Sequence, residues 1–197
     1  MTTVQASLPG FDPPPALKDS LFFAILPDAP AALRIAQIAE QLRNAHGLKG
    51  KTLQTGRFHV TLHHLGNYAG LPPDVVAMAG EAAAFVVSAM PPFELAFDSV
   101  ESFSNTPRNR PLVLRGGDGL MALTAFQQAL ATPLKKTAAR QWLKPGYTPH
   151  LTLLYDDRSV SLQAIETVAW TARELVLVHS MVGQSRHVHL GRWSLNG

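Results

Sequence analysis

The feature that most constrains this chain is a tetrad that occurs twice. "HVTL" begins at His59 and "HLTL" at His150, 91 residues further on (150 − 59), and each lies in an apolar run typical of a buried strand. Successive side chains of a strand point to opposite faces. Each tetrad is therefore predicted to present an imidazole and a threonine hydroxyl side by side, with two aliphatic residues anchored in a core behind them.

Composition limits the classes of protein that remain. With 197 residues, 46% of them hydrophobic, the chain suits one domain or two small lobes that share a core. The absence of cysteine excludes disulfides, thiolate catalysis and cysteine-ligated zinc. A formal charge of +3 permits a phosphate-bearing partner without requiring one.

Hydrophobic periodicity predicts alternating strands and helices after a Pro-rich flexible tail at residues 1–18. The predicted strands are 21–26, 57–65, 93–103, 111–116 and 149–155, followed by a hairpin at 172–195; the predicted helices run from the cap Asp28 to near Gly47, then 73–89 and 119–138. Residues 159–171 are compatible with a helix or an extended segment.

This order predicts an α+β fold. We expect residues 19–197 to form a single domain of two similar lobes, each an antiparallel sheet with helices on its outer side, with an active-site groove between the lobes. Each tetrad strand is expected to lie centrally in the sheet of its own lobe.

Two imidazoles and two hydroxyls in one groove suit proton transfer at a phosphate. Imidazole titrates near neutral pH, so one histidine can accept a proton while the other donates one. Hydrolysis of a cyclic phosphodiester next to a ribose hydroxyl uses this set and requires no nucleophilic side chain and no metal. We therefore predict that His59 and His150 are catalytic and that Thr61 and Thr152 bind the substrate phosphate.

The two tetrads and their flanks resemble the HxTx motifs of the two-histidine (2H) phosphoesterase superfamily. Within it the chain is most similar to the bacterial RNA 2′,3′-cyclic phosphodiesterases, also called 2′-5′ RNA ligases. "LFFAILPD" resembles the first strand of that family, "RFHVTLHHLGN" and "YTPHLTLLYD" its motif strands, and "ARELVLVHSMVGQSRHVHLGRWSL" its closing hairpin. One HxTx is a weak signal, whereas two with matching flanks are strong.

The resemblance implies a mechanism. His150 would act as general base on water and His59 as general acid on the departing ribose oxygen, so that a 2′,3′-cyclic phosphate on RNA or a nucleotide becomes a 2′-phosphate. No metal and no cofactor would take part. The reverse direction, with a 5′-hydroxyl RNA end in place of water, would give 2′-5′ ligation.

The chain departs from the family in one respect. Many relatives carry an arginine shortly after the second motif, where this chain has Tyr155. The sequence offers several arginines as substitutes and does not choose among them: Arg57, Arg110, Arg158 and Arg192.

The remaining histidines and aromatics near the motifs have plainer interpretations. Alternation predicts that His63 lies on the cleft face, at the substrate or the rim, and that His64 points away and is structural. The same alternation places Phe58 and Tyr155 in the core rather than against a base. The hairpin histidines are expected to be ordinary strand positions: His179, His187 and His189.

Two other function classes stay open. His59, His63 and His64 form an H-x3-H-H pattern, and zinc can be held by three histidines, although that spacing suits a helix better than a strand. A nucleotide-binding module without turnover is the second alternative, although a binder does not need two titrating groups.

The expected partners are RNA ends or nucleotides with a 2′,3′-cyclic phosphate. No run of Lys and Arg marks a dedicated nucleic-acid surface, the N-terminus lacks the pattern of a signal peptide, and no apolar stretch reaches the roughly 20 residues of a membrane span. We therefore expect a cytoplasmic monomer that does not bind membranes.

Overall fold

A computed structural model describes residues 16–104 and 107–196 of the chain, which form eight strands and three α-helices. In chain order they are β1 (Asp19–Ile25), α1 (Ala29–Ala45), β2 (Val60–Tyr68), α2 (Pro73–Val87), β3 (Phe93–Ser102), β4 (Arg110–Arg115), α3 (Met121–Leu134), β5 (Leu151–Asp156), β6 (Gln163–Ala172), β7 (Glu174–Met181) and β8 (Arg186–Ser194). The predicted N-terminal tail lies, up to residue 15, outside the described residues. The ambiguous segment at 159–171 contributes a strand, β6, which buries Val168 and Trp170.

The strands form one antiparallel sheet in the order β6-β3-β4-β5-β2-β1-β7-β8. Within residues 16–104 and 107–196, its two central strands, β5 and β2, share only the pairing of Val60 with Leu151. The α+β class and the antiparallel sheet are as predicted, and this narrow junction, consistent with two lobes, divides the sheet into halves of four strands each.

The predicted position of the motif strands within each half was wrong. β2 and β5 lie at the inner edges of their halves, not at the centres. Each motif lies in an apolar run because the helices bury one face of its strand. A strand at the inner edge of a half is buried in this way as fully as a central strand, so the apolar pattern does not distinguish the two positions. The edge position is what brings the two motifs next to each other.

The three helices cover one face of the sheet. α1 begins at Asp28, whose carboxylate accepts the Ala31 N–H at 2.9 Å, and Pro30 fits its first turn. α1 packs on β5 and β6, whereas α2 packs on β7 and β8 and α3 on β2 and β3. One hydrophobic core therefore runs under both halves, and it includes the fully buried Phe23 and Phe97.

The opposite face of the sheet carries a smaller apolar cluster. It consists of Phe22 and Ala24 of β1 with Val176 and Val178 of β7. Ala24 pairs with both Thr61 and Val176, so this cluster lies on the same face as the motif threonine and forms the floor of a groove. None of the described helices combines the length and the apolar character needed to cross a membrane.

Candidate active site

The four motif residues meet at the junction of the two halves. His59 immediately precedes β2 and His150 immediately precedes β5. When the register of Val60 with Leu151 is extended by one residue, His59 lies opposite Thr152 and Thr61 opposite His150. Directly opposed residues of antiparallel strands share a face, with Cβ atoms about 5 Å apart. All four predicted site residues are thus half-buried on one groove face.

The two imidazoles are held in the same way. Nδ1 of His59 lies 2.8 Å from the carbonyl oxygen of Arg57, and Nδ1 of His150 lies 2.8 Å from that of Thr148. A carbonyl oxygen only accepts, so Nδ1 carries the hydrogen in both rings. Nε2 of each ring is therefore the nitrogen left to exchange a proton with a substrate.

The electrostatic surroundings of His59 favour its neutral form in the free protein. Burial lowers the pKa of His59, and the charges of Arg57 and His150 lower it further, while the hydrogen bond to the Arg57 carbonyl acts in the opposite direction. The rings of His59 and His150 flank the same junction, one from each half of the sheet. An anion bound between them would favour the protonated form.

A β-bulge after each motif threonine changes the faces of the residues that follow. In β2, Thr61 pairs with Ala24 and His63 with Phe23, so Leu62 is an extra residue. The predicted faces of His63 and His64 were therefore wrong, because strict alternation ignores the bulge. The ring of His63 enters the core, only 6% exposed, and its Nε2–H donates to the carbonyl of Gln127 at 2.8 Å.

The same bulge turns His64 to the groove face, opposite to the face of His63. It pairs with Phe22, which lies on the groove face, and its ring meets the Trp142 ring edge-on at 5.5 Å. The histidines of the H-x3-H-H pattern therefore do not converge. Among the described residues, no group of three or more His, Cys, Asp or Glu side chains is placed to hold a metal ion.

β5 repeats the bulge at the equivalent position. Thr152 pairs with Val113 and Leu154 with Leu112, so Leu153 is the extra residue. Tyr155 then pairs with Pro111 on the groove face and is 44% exposed, so its predicted core position was wrong. Phe58 is buried in the core as predicted. In the burial pattern of both strands, the bulge coincides with two adjacent buried residues directly after the motif threonine.

A pocket of about 560 Å³ opens beside His150 and Thr61. The Phe103 ring meets the His150 ring at 4.9 Å, and the Arg115 guanidinium lies 5.6 Å above the centre of Phe103. The same pocket is lined by Lys144 and by Tyr147, whose hydroxyl donates to the Thr61 carbonyl at 3.1 Å. It therefore combines two cationic side chains with aromatic surface next to the motifs.

The arginine in this pocket was not among those that the sequence offered. Extending the register of Leu114 with Leu151 by one residue places Arg115 opposite His150. The signal available was the alternation of "PLVLRG", which puts Val113 and Arg115 on one face. Three of the four arginines named from sequence are engaged with other groups: Arg110 with the Asp157 carbonyl, Arg158 with the carbonyls of His46 and Gly47, and Arg192 with the Glu174 carboxylate.

The fourth arginine, Arg57, lies on the other side of the site, next to His59. His187 is there too, with its ring 5.3 Å from that of His59 and 5.7 Å from that of Phe22. His187 is half-buried in β8, as expected, and the pairing of β8 with β7 brings its ring to the groove. The expected exposed or half-buried position of His179 was wrong: its ring is buried and hydrogen-bonds the Asp19 carboxylate at 2.7 Å. His189 is exposed and accepts from Arg192 at 3.0 Å.

Known structures resemble this fold along almost its whole length. TT0787 of Thermus thermophilus has a TM-score of 0.72 at 19% identity over 90% of this chain and 98% of its own. E. coli LigT in complex with 3′-AMP has a TM-score of 0.65 at 23% identity over 91% of this chain and 99% of its own. LigT in complex with NADP+ has a TM-score of 0.66 at 23% identity over 91% of this chain and 99% of its own.

Sequence comparison assigns the family. A search of curated proteins finds no match to the chain. The family model for the 2′-5′ RNA ligase superfamily matches residues 27–184, a span that contains both motifs and all of the pocket beside His150. The chain thus belongs to the 2′-5′ RNA ligase superfamily, a family of two-histidine phosphoesterases and RNA ligases.

Proposed function

We propose that this protein hydrolyses 2′,3′-cyclic phosphates of RNA ends or nucleotides to 2′-phosphates by metal-independent acid–base catalysis. The observation that carries the proposal is the Val60–Leu151 pairing, which sets an imidazole and a hydroxyl from each half of the sheet around one point. Two imidazoles with Nδ1 already committed to a carbonyl can each use Nε2 on opposite sides of a phosphorus atom.

The reaction is an in-line displacement at phosphorus. Nε2 of His150 removes a proton from water as the water oxygen bonds to phosphorus, and the bond from phosphorus to the ribose O3′ breaks. Nε2–H of His59 donates its proton to O3′, so the ribose regains its 3′-hydroxyl and keeps a 2′-phosphate. The hydroxyls of Thr61 and Thr152 donate to the two non-bridging oxygens, where negative charge increases in the transition state.

The charge of the substrate supports the acid role of His59. In the free protein burial and neighbouring cations lower the pKa of His59. A phosphate anion between the two histidines raises that pKa, because an opposite charge within a few ångströms favours the protonated imidazole. Arg115, across from His150, adds a positive charge on the side where the water enters, and the Glu101 carboxylate 3.5 Å from its Nε offsets part of that charge.

The same displacement with the 5′-hydroxyl of a second RNA end as the nucleophile would join two RNA ends through a 2′-5′ linkage, with His150 taking the hydroxyl proton and His59 protonating O3′. It replaces water by a 5′-hydroxyl and therefore needs room for a nucleotide on the His150 side of the phosphorus. The pocket of about 560 Å³ beside His150 offers that room, with Arg115 and Lys144 as cationic groups for a phosphodiester. The 3′-AMP and NADP+ complexes of the structurally similar LigT support a nucleotide as the ligand class.

One experiment separates this proposal from its two alternatives. The purified protein is mixed in excess over cytidine 2′,3′-cyclic phosphate, and the time course of a single turnover is followed while zinc is quantified in the same sample. Conversion without stoichiometric zinc supports the proposal. Tight binding without conversion would make the protein a binding module, and activity that tracks zinc content would make it a metallo-phosphoesterase.

A further inference from the structure

Beside His59 the groove carries a cluster of two side chains that the proposed chemistry does not use, the guanidinium of Arg57 and the imidazole of His187. Arg57 ends the 3-10 turn Thr55–Arg57, two residues before His59, and the buried Phe58 between them has an extended backbone with φ −68° and ψ 128°. The His187 ring, carried by β8, lies 5.3 Å from the His59 ring. Burial lowers the pKa of both His59 and His187, and the charge of Arg57 lowers both further.

This cluster lacks an anionic partner within the part of the chain that the structure describes. Nε of Arg57 is buried and has no hydrogen-bond partner there. Other arginines are paired with carboxylates: Arg34 with Glu166, Arg43 with Glu40, Arg115 with Glu101 and Arg192 with Glu174. A buried donor without an acceptor is costly, so the arrangement at Arg57 suits a ligand that brings the acceptor.

The reaction geometry indicates which part of a substrate reaches the cluster. In an in-line displacement the entering and leaving oxygens lie on opposite sides of phosphorus. The water enters on the His150 side, so the ribose that holds O3′ lies on the His59 side. If that nucleotide ends an RNA strand, the strand continues from its 5′ oxygen through a phosphodiester, which is a monoanion with two acceptor oxygens.

We propose that Arg57 and His187 form a second anion subsite, which binds the phosphodiester on the 5′ side of the terminal nucleotide. The substrate class is then an RNA end rather than a free mononucleotide. This inference rests on the proposed function, because it uses the direction in which the ribose leaves the reacting phosphorus. The guanidinium supplies a forked donor for two phosphate oxygens, and His187 Nε2–H or Nδ1–H can supply a third donor.

The test compares three substrates with the wild-type protein. They are uridine 2′,3′-cyclic phosphate, the dinucleotide UpU with a 2′,3′-cyclic phosphate, and the same dinucleotide with a neutral methylphosphonate as its internal linkage. We expect the charged dinucleotide to exceed the other two in kcat/KM by roughly 10-fold or more, since a hydrogen bond to a charged group contributes about 1.5–3 kcal/mol. Equal kcat/KM for the charged and neutral dinucleotides would overturn the subsite.

Variants then assign the preference to residues. Arg57→Gln should lower the ratio of kcat/KM for the charged dinucleotide over the mononucleotide by roughly 10-fold, and His187→Asn should lower it less. Arg186→Gln, the neighbouring exposed position in β8, is the matched control and should keep the ratio. An unchanged ratio in Arg57→Gln would overturn the assignment. If Arg57→Gln does not fold, the methylphosphonate comparison alone decides.

The outcomes distinguish the two levels of the proposal. Hydrolysis of all three substrates with equal kcat/KM would remove the second subsite and leave the proposed function intact. Hydrolysis of none of them would overturn both.

Discussion

Val60 and Leu151 are backbone partners, and within the described chain theirs is the only pairing between β2 and β5. Both side chains are fully buried in the core. The residues on either side of each partner must then face the groove, which brings His59, Thr61, His150 and Thr152 together. One backbone contact between two halves of a sheet thus determines the geometry of the whole candidate site.

Removing either motif imidazole should abolish most of the activity. We expect His59→Ala and His150→Ala each to lower kcat for a 2′,3′-cyclic nucleotide by roughly 10²-fold or more, the typical contribution of one acid–base group. His46→Ala is the matched control, because His46 lies at the end of α1 and its imidazole bonds to the Gln163 side chain. A variant at His59 or His150 that keeps wild-type kcat would contradict the assigned roles.

The motif hydroxyls should matter less than the imidazoles but measurably. Thr152→Val keeps the shape of the side chain and removes the donor, so we expect kcat/KM to fall by about 10-fold, which corresponds to about 1.4 kcal/mol. Steady-state kinetics with a cyclic nucleotide measure this. A loss seen only in thermal stability, with kcat/KM unchanged, would show that Thr152 is a strand-forming residue and no more.

Arg115 should be the arginine that assists at the phosphate. Arg115→Gln removes the positive charge opposite His150, and we expect kcat/KM to fall by roughly 10- to 100-fold while the fold persists, since a charged hydrogen bond contributes about 1.5–3 kcal/mol. Arg158→Gln is the control, because Arg158 donates to the carbonyls at the end of α1. Equal activity of the two variants would remove Arg115 from the site.

The free energy of unfolding should decrease as the pH is lowered below about 6.5. Burial is the main cause that lowers the pKa of His59, His63 and His64, and it lowers that of His187 to about 4. As the pH is lowered below the ordinary histidine pKa of about 6.5, the unfolded chain takes up protons at these histidines while the folded chain does not. Protonation therefore favours the unfolded chain, and the free energy of unfolding decreases as the pH is lowered. Urea unfolding at pH 7.5 and 5.5 measures the difference. Equal free energies at the two pH values would contradict the buried neutral state of these rings.

A single carboxylate should anchor the loop that enters the first motif. The Asp156 carboxylate accepts the backbone N–H groups of Lys49, Gly50 and Arg158 at 2.5, 2.7 and 2.8 Å. Asp156→Ala leaves these donors without their acceptor, and we expect the free energy of unfolding to fall by about 2–3 kcal/mol. Asp157→Ala is the comparison and should cost less, because the exposed Asp157 carboxylate accepts the Asn109 N–H in place of the three donors that Asp156 holds. Equal losses in the two variants would contradict the anchoring role of Asp156.

The sequence was sufficient to predict the parts of the fold that follow from local pattern. Apolar periodicity located the helices and most strands, and the repeated tetrad identified the four residues that meet in the groove. It also predicted an antiparallel α+β sheet. These features depend on which residues are buried, and burial leaves a period in the sequence.

What the sequence could not predict depends on register between strands that are distant in the chain. The bulges at Leu62 and Leu153 reverse the alternation, so His63 enters the core while His64 and Tyr155 share the groove face. A bulge adds one residue without changing composition, and propensity does not reveal it. Arg115 and His187 were missed for the same reason, since only strand pairing brings β4 and β8 to the motifs.

The acid and base labels of the two histidines can be examined through the pH dependence of activity. Catalysis needs one imidazole neutral and the other protonated, so kcat/KM should follow a bell-shaped profile whose two apparent pKa values belong to the pair. The profile of His59→Ala, where residual activity permits, should lose its alkaline limb, because that limb reports loss of the acid's proton. Loss of the acidic limb instead would exchange the two roles.

The most direct test of the central claim is the product formed from a 2′,3′-cyclic nucleotide in excess EDTA, identified by ³¹P NMR. We expect turnover in EDTA and a 2′-phosphate as the product, because His59 protonates O3′ while water enters on the His150 side. Loss of activity in EDTA, or a 3′-phosphate as the product, would contradict it.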